Sequence, residues 1–382
     1  MPADRQPATA SETATILISL ELSQKTWVIT LRHASSARLS RHTLSAGDTA
    51  ALAELLRRQR QHAERLSDGA GVEIISIQEA GLDGFWLHRW LTDQGVESHV
   101  VDAASIAAPR RKRRAKSDGI DGEVLLRVLA AWRRGEPRVC SMVTPPSPQA
   151  EDQRRLTRER ERLLAERIAL SNRIGGLLAN HGIRGYDPLR RDRRAALAAL
   201  ATGDGRALPA RLSGEIGRML DRLELLITQI TAVEAERDAL LREAEAASMP
   251  ALLLRLRGIG PGLASVLWLE CFWRNFASRR QLASFGGLAP TPWRSGGIVH
   301  EQGVKGCGQS RVRTAMIELA WLWLRHQPDT ALSQWFRARI KTDASKRNKR
   351  IAIVALARKL LVALWRYLGD GVVPQGAVLK AA

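Results

Sequence analysis

Val72-Glu73-Ile74-Ile75-Ser76-Ile77-Gln78-Glu79, closed by Ala80-Gly81 and followed by the helical pattern Phe85 to Leu91, sets the frame for the first third of the chain. The run is short, rich in isoleucine and valine, and bounded by a turn signal, so it reads as a strand with Glu79 at its carboxyl end. Upstream, Ile16, Ile18, Leu20 and Leu22 alternate with Leu17, Ser19, Glu21 and Ser23. This is a second, partly buried strand in which Glu21 faces away from Leu20 and Leu22. Downstream, Ser98-His99-Val100-Val101 reads as a third. Strands alternating with helices predict an α/β region with a largely parallel sheet, whose ligand crevice lies outside the strand carboxyl ends.

A third acidic element follows, Lys116-Ser117-Asp118-Gly119-Ile120-Asp121. If a helix begins near Ser117, Asp118 and Asp121 project from one face of its first turn. Glu21, Glu79, Asp118 and Asp121 brought together would suit Mg²⁺, which takes hard oxygen ligands and leaves positions for phosphate and water. Two such ions about 3.5–4 Å apart support displacement at a phosphodiester. The plainer alternative is that the glutamates are solvated strand ends and the aspartates favour a helix amino terminus. Spacing alone leaves both open.

Composition narrows the partners. The 382 residues include 59 Lys plus Arg against 39 Asp plus Glu, a net charge of +20. Such a balance points to a polyanion, nucleic acid first, because cations at phosphates release counterions; an acidic membrane surface is the alternative. No apolar run approaches the ~20 residues of a spanning helix and the amino terminus lacks a signal peptide's apolar region, so a cytoplasmic location is expected. Cys140, Cys271 and Cys307 form no zinc motif and no disulfide framework. The eight histidines show no ligand spacing, so any metal is expected on oxygen.

Residues 1 to about 12 read as disordered, and the chain divides into three regions: a candidate metal-binding region of mixed strands and helices at 1–145, a helical middle at 146–248 and a carboxyl-terminal region at 249–382. Thr144-Pro145-Pro146-Ser147-Pro148 marks the first boundary. Leu156, Leu163, Leu170 and Leu177 recur every seven residues, with Leu164, Ile168, Ile174 and Leu178 widening the stripe. Ile216, Leu220, Leu223, Ile227 and Ile230 form a second stripe. The two helices fit an antiparallel coiled coil, pairing with another copy, or a bundle within one protomer. Between them lies a basic tip, 181–213, with Arg190-Arg191-Asp192-Arg193-Arg194.

The third region carries Gly258-Ile259-Gly260-Pro261-Gly262 between helical patterns, either a helix-hairpin-helix that takes a phosphate at Gly258 and Gly260 or a tight turn. Phe285 to Gly297 is too rich in Gly and Pro for a regular helix and reads as a loop. Helices are expected from Arg311 to Arg325, with Trp321 and Trp323 in the core, and from Lys349 to Leu368.

Taken in order, Glu21, Glu79, Lys116 to Asp121, Gly258-Ile259-Gly260-Pro261, Gly287-Leu288-Ala289-Pro290 and Ser295-Gly296 resemble the DEDD transposases of insertion-sequence family 110 from about residue 15 to 370. The resemblance implies α/β plus α architecture: an RNase H-like domain similar to RuvC, a helical coiled-coil middle, and a mainly α-helical transposase domain with a helix-hairpin-helix. It implies that Glu21, Glu79, Asp118 and Asp121 hold Mg²⁺ and that Ser295, with Ser310 as competitor, attacks a DNA phosphate to leave a phosphoserine intermediate. It also implies a homo-oligomer that recombines donor and target DNA under the guidance of a noncoding bridge RNA. Most family members carry Asp where this chain has Glu21, one methylene longer. The basic run Arg110, Arg111, Lys112, Arg113, Arg114 and Lys116 is the expected phosphate track, with Lys346-Arg347-Asn348-Lys349-Arg350 as a second contact. A metal-dependent endonuclease that uses water, or a non-catalytic nucleic-acid-binding protein, would share much of this pattern.

Overall fold

The computed structural model describes residues 14–33, 38–66, 71–81, 84–106, 118–137, 139–289, 291–295, 298–302, 308–340 and 345–380; at 104, 118–121, 291–295 and 298–302 the description covers the backbone. The chain divides into two compact units, Met1–Pro146 and Ser147–Ala382.

In the first unit, β1 (Ala14–Leu22), β2 (Thr26–His33) and β3 (Leu39–Ser45) form an antiparallel meander. Helix α1 (Thr49–Leu66) then crosses to β4 (Val72–Glu79), which lies parallel to β1, and α2 (Trp86–Asp93) leads to β5 (Glu97–Val101), parallel to β4. Helix α3 (Asp118–Arg133) precedes β6 (Met142–Val143), antiparallel to β5. The sheet order is β3-β2-β1-β4-β5-β6.

This corrects the expectation of a largely parallel sheet. Only β1, β4 and β5 run parallel, because the short connection Ser23 to Lys25 can close a hairpin but cannot carry a crossover. Ser23 fastens that turn by accepting from Thr26 N at 3.0 Å. One face of the sheet buries Ile16, Ile18, Leu20 and Ile74 against Leu52, Leu55 and Leu56 of α1 and Leu87 and Leu91 of α2. The opposite face buries Leu17, Ile75, Ile77 and Val101 against Leu125, Leu126 and Leu129 of α3. Two apolar faces require two helical layers, and the sheet has both.

The second unit opens on α4 (Pro148–Ala179), where Ser147 accepts from Ala150 N at 3.1 Å and Pro148 occupies the first turn. After the short α5 (Arg193–Ala198), α6 (Ala210–Glu243) returns antiparallel to α4. Ile174 and Leu178 pack with Ile216, Met219 and Leu220 near the tip, while Leu163 packs with Ile230 and Val233. Ile168 does not join the stripe; it is 54% exposed. Ion pairs Arg160–Glu234 (2.5 Å) and Arg173–Glu215 (3.1 Å) flank the seam.

Helices α7 (Met249–Arg255) and α8 (Pro261–Val266), the latter continued by a π-helical turn at Leu267–Phe272, surround a core shared with α9 (Arg279–Phe285), α10 (Ser310–His326), α11 (Ala331–Arg339) and α12 (Lys346–Asp370). Trp323 is fully buried and donates to Thr330 Oγ1 at 2.9 Å. Trp321, expected in the core, is 48% exposed. Residues i and i+2 on a helix lie about 200° apart, so Trp321 and Trp323 cannot share an inward face. Between α9 and α10 the expected loop contains a hairpin, β7 (Thr291–Ser295) with β8 (Ile298–Gln302). Both strands of a two-stranded ribbon are edges, and Pro292 is tolerated there. No helix among the described residues is long and apolar enough to cross a membrane.

Candidate active site

Glu21 and Glu79 stand side by side. The β1–β4 register runs through Leu20↔Gln78, so the next residue on each parallel strand is one of the two glutamates. Adjacent strands lie about 4.8 Å apart and alternate side chains share a face, which puts both carboxylates with Leu17, Ile75 and Ile77, on the α3 side. Glu79 is exposed at the strand end, whereas Glu21 is half-buried and its Oε1 is inaccessible to solvent.

Helix α3 is pressed onto Glu21. It begins at Asp118, so Asp118 and Asp121 both belong to its first turn. Gly122 follows, and a Cβ there would sit 2.6 Å from Glu21 Oε1, 2.6 Å from Thr30 Oγ1 and 3.2 Å from Ser19 Oγ. Only glycine lets the helix backbone approach this closely. Ser19 completes the contact by donating to the Gly122 carbonyl at 2.9 Å. Ser19 and Thr30, paired across β1 and β2, interrupt an otherwise apolar surface. The alternation in β1 exposes Ser19 as polar in sequence, but its role as the seat for Gly122 is visible only once β2 is in place.

The donor set fits a hard divalent cation. It is all oxygen; Glu21 Oε1 is shielded, and Thr30 Oγ1 beside it is buried without a hydrogen-bond partner among the described residues. No group of three His, Cys, Asp or Glu is assembled among the described residues. Asp118 and Asp121 lie in the helix turn directly before Gly122.

In the second unit Ser295 ends β7 opposite Ile298, with Gly296 and Gly297 between them. The hairpin is held at its base: a Cβ on Gly308 would lie 2.6 Å from Gly287 Cα and from the Phe285 carbonyl, and Gln309 N donates to that carbonyl at 2.7 Å. Gln309 also donates to Glu270 Oε2 at 3.3 Å. Glu270, 2% exposed in the π-helical turn, accepts from both Arg158 Nε (2.8 Å) and Arg158 Nη2 (3.1 Å). Arg154, also buried, donates to Leu269 O at 2.8 Å and stacks over Trp273 at 4.1 Å. This buried network leaves no signature in the sequence, because its members are far apart in the chain and match no motif. Ser310 is the exposed first residue of α10.

Residues 251–335 match the model of the transposase IS116/IS110/IS902 family, and residues 22–183 match a DEDD transposase model of the IS110 group. A Sinorhizobium fredii protein named "Putative transposase y4rJ" is 54% identical over 96% of this chain and 94% of its own length. The chain is a transposase of the IS110 family. A Pseudomonas aeruginosa "Probable family 20 transposase" is 30% identical over 77% of this chain and 83% of its own. The transposase for insertion sequence element IS1111A of Coxiella burnetii is 26% identical over 81% and 82%.

The DEDD match includes Glu79, Asp118 and Asp121 and begins one residue after Glu21. The expected phosphate track, Arg110, Arg111, Lys112, Arg113, Arg114 and Lys116, lies outside the described residues. Gly258 occupies the α7–α8 turn with φ +93°, where a Cβ would lie 3.1 Å from His326 Cβ, and Gly260 caps α8. The transposase fastens this turn with its own tail: Lys380 Nζ donates to Ile259 O at 2.8 Å, and Gln327 Nε2 donates to both Arg257 O (2.9 Å) and Val378 O (2.8 Å). Lys346 to Arg350 form the exposed first turn of α12, capped by Ser345.

Proposed function

We propose that this transposase cuts and rejoins donor and target DNA with a Mg²⁺-dependent site made by Glu21, Glu79, Asp118 and Asp121, acting with Ser295 as nucleophile, at DNA sites chosen by pairing with a bridge RNA. The observation that carries the reading is the placement of Glu21 and Glu79 on neighbouring parallel strand ends, with the Asp118–Asp121 turn seated on Glu21 through Gly122. The sheet order, a meander followed by two parallel crossovers, is the order an RNase H-like domain would have and supports the same assignment.

The bound cation would supply neutralisation of charge on the phosphodiester and its leaving oxygen. The chain's own contribution begins with Ser295. Its hydroxyl gives up a proton as Oγ bonds to phosphorus; the P–O3′ bond breaks, and O3′ takes up the electron pair and a proton. The DNA is left with a free 3′ hydroxyl and a 5′ phosphate esterified to Ser295. A 3′ hydroxyl from another strand then attacks that phosphoserine and restores the serine. A free serine is a weak nucleophile, which is why it needs an activating site. Exchange between two DNA sites needs more than one centre, so the working form is a homo-oligomer. Base pairing would supply sequence choice, leaving the protein to hold backbone, as its +20 charge suits.

Full-length protein, RNA transcribed from the flank of its reading frame, Mg²⁺ and matched DNA should give recombinants and an SDS-resistant protein–DNA adduct. Ser295→Ala should abolish the adduct while Ser310→Ala keeps it, and Asp118→Ala should abolish cleavage. Cleavage that survives Ser295→Ala would replace this mechanism with hydrolysis by water.

A further inference from the structure

The carboxyl-terminal unit contains a groove of about 870 Å³ between α9, α11, α12 and the segment Val372 to Gln375, and none of the candidate active-site residues lines it. Arg358, Lys359 and Arg366 of α12 line it, facing Arg279 and Arg280 at the start of α9 and Arg339 at the end of α11. No carboxylate contributes to the lining. Its floor is apolar, formed by Trp335, Leu332, Ala355 and Val362, with Lys359 Nζ 4.7 Å from the Trp335 ring centroid.

Six cations around one concavity repel each other, whereas several of the chain's arginines elsewhere are neutralised. Arg158, Arg160, Arg173, Arg193, Arg194 and Arg311 all hold carboxylates. Among the described residues, none of the six groove cations is ion-paired with an acid. Clustered like charge left uncompensated costs stability unless a partner supplies the opposite sign. A single phosphate needs two or three such groups; six, spread over three helices, match a polymer. From Arg358 to Arg366 the helix rises about 12 Å, over which one strand of B-form DNA places about three or four phosphates.

We infer that this groove binds the sugar–phosphate backbone of one DNA strand, with phosphates on the cationic rim and sugars against Trp335 and Val362. The binding is independent of the proposed carboxylate and serine chemistry and rests only on the chain being a DNA transposase. It reads no base; it holds the duplex by charge, so its loss weakens all DNA sequences alike.

The test is binding of full-length protein to a labelled DNA duplex by fluorescence anisotropy, in EDTA, across a salt series. Arg280→Gln/Arg339→Gln/Arg366→Gln alters exposed side chains only, and Arg211→Gln/Arg218→Gln/Arg222→Gln on α6 removes the same charge elsewhere. The groove variant should bind DNA about tenfold or more weaker near 0.15 M salt, with a log K–log[salt] slope shallower by about 0.9 for each phosphate no longer held. The α6 variant should keep most of the affinity and the slope. Equal weakening in both variants, or weakening confined to an RNA hairpin probe or an acidic peptide, would overturn the inference. Because EDTA withholds metal, failure here leaves the cleavage mechanism standing, and failure of that mechanism leaves this binding measurable.

Discussion

Gly122 touches Glu21: a methyl group at 122 would fall 2.6 Å from Glu21 Oε1. The helix turn carrying Asp118 and Asp121 is thereby set against a strand-end acid by the absence of one carbon. Gly122→Ala would ordinarily gain about 1 kcal/mol of helix propensity. Here it should instead cost about 1–3 kcal/mol, because stiff Thr30 and the short Ser19 leave little room to yield. Thermal melting should show the loss, and DNA cleavage should fall further than melting predicts as the aspartate turn is pushed away.

Glu79 is exposed, so Glu79→Gln should change stability by no more than about 0.5 kcal/mol. Cleavage should nevertheless drop by at least about a hundredfold if the carboxylate contributes charge at the reacting phosphate. Single-turnover cleavage beside a melting curve checks the split; parallel small losses in both would return Glu79 to the status of a solvated strand end.

Glu270 is a buried acid held chiefly by Arg158. Arg158→Ala should leave that carboxylate with only the Gln309 amide as a hydrogen-bond donor and the charge of Arg154 nearby, a change that costs about 3 kcal/mol even though Arg158 itself is half exposed. In a unit of this size that is roughly 6–12 °C of melting temperature. Arg158→Ala/Glu270→Leu should recover most of it, since the charge is then gone as well as its partner.

At the tip of the α4–α6 hairpin, Arg194 and Arg193 hydrogen-bond Glu224 and pull its carboxyl down to about 2 from an ordinary 4.5. A carboxylate whose folded value is depressed adds stability above its unfolded value and loses it as pH falls through the folded one. The contribution should therefore be complete above pH ~4.5 and fade toward pH ~2. Glu224→Gln should flatten acid-dependent protease sensitivity at the tip in that window and change little at pH 7 in high salt, where exposed pairs are screened.

Burial pushes the Cys271 thiol up to about 12. Thiolate is the reactive form, so native protein at pH 8 should leave Cys271 unalkylated, and mass spectrometry should find it modified only after unfolding.

The parts of the fold legible in sequence were those with a strong period or a boundary signal. Val72 to Glu79 and the strand through Glu21 announce themselves by alternation, and α4 by its leucine spacing and the Ser147-Pro148 start. Strand β3, Leu-Ser-Arg-His-Thr-Leu-Ser, does not: it is an edge whose exposed positions are polar, so its alternation carries no apolar face to recognise. The hairpin at Thr291 was hidden by Pro292, which argues against a strand anywhere but at an edge. For the candidate site, the sequence shows which acids end strands, and the register shows which two are neighbours. What no spacing rule supplies is a contact such as Gly122 on Glu21 or Arg158 on Glu270, where the partners lie 101 and 112 positions apart.

The pinch between Gly287 and Gly308 has a bearing on how such enzymes diversify. The chain leaves the helical body at Phe285 and re-enters at Gln309 through a backbone bond of 2.7 Å, so everything between begins and ends at one point. Closing a longer or shorter segment over that gap changes the entropy by only about 0.6 kcal/mol per doubling of length. A change in the length of the serine-bearing ribbon should therefore leave the packing of α9 and α10 intact.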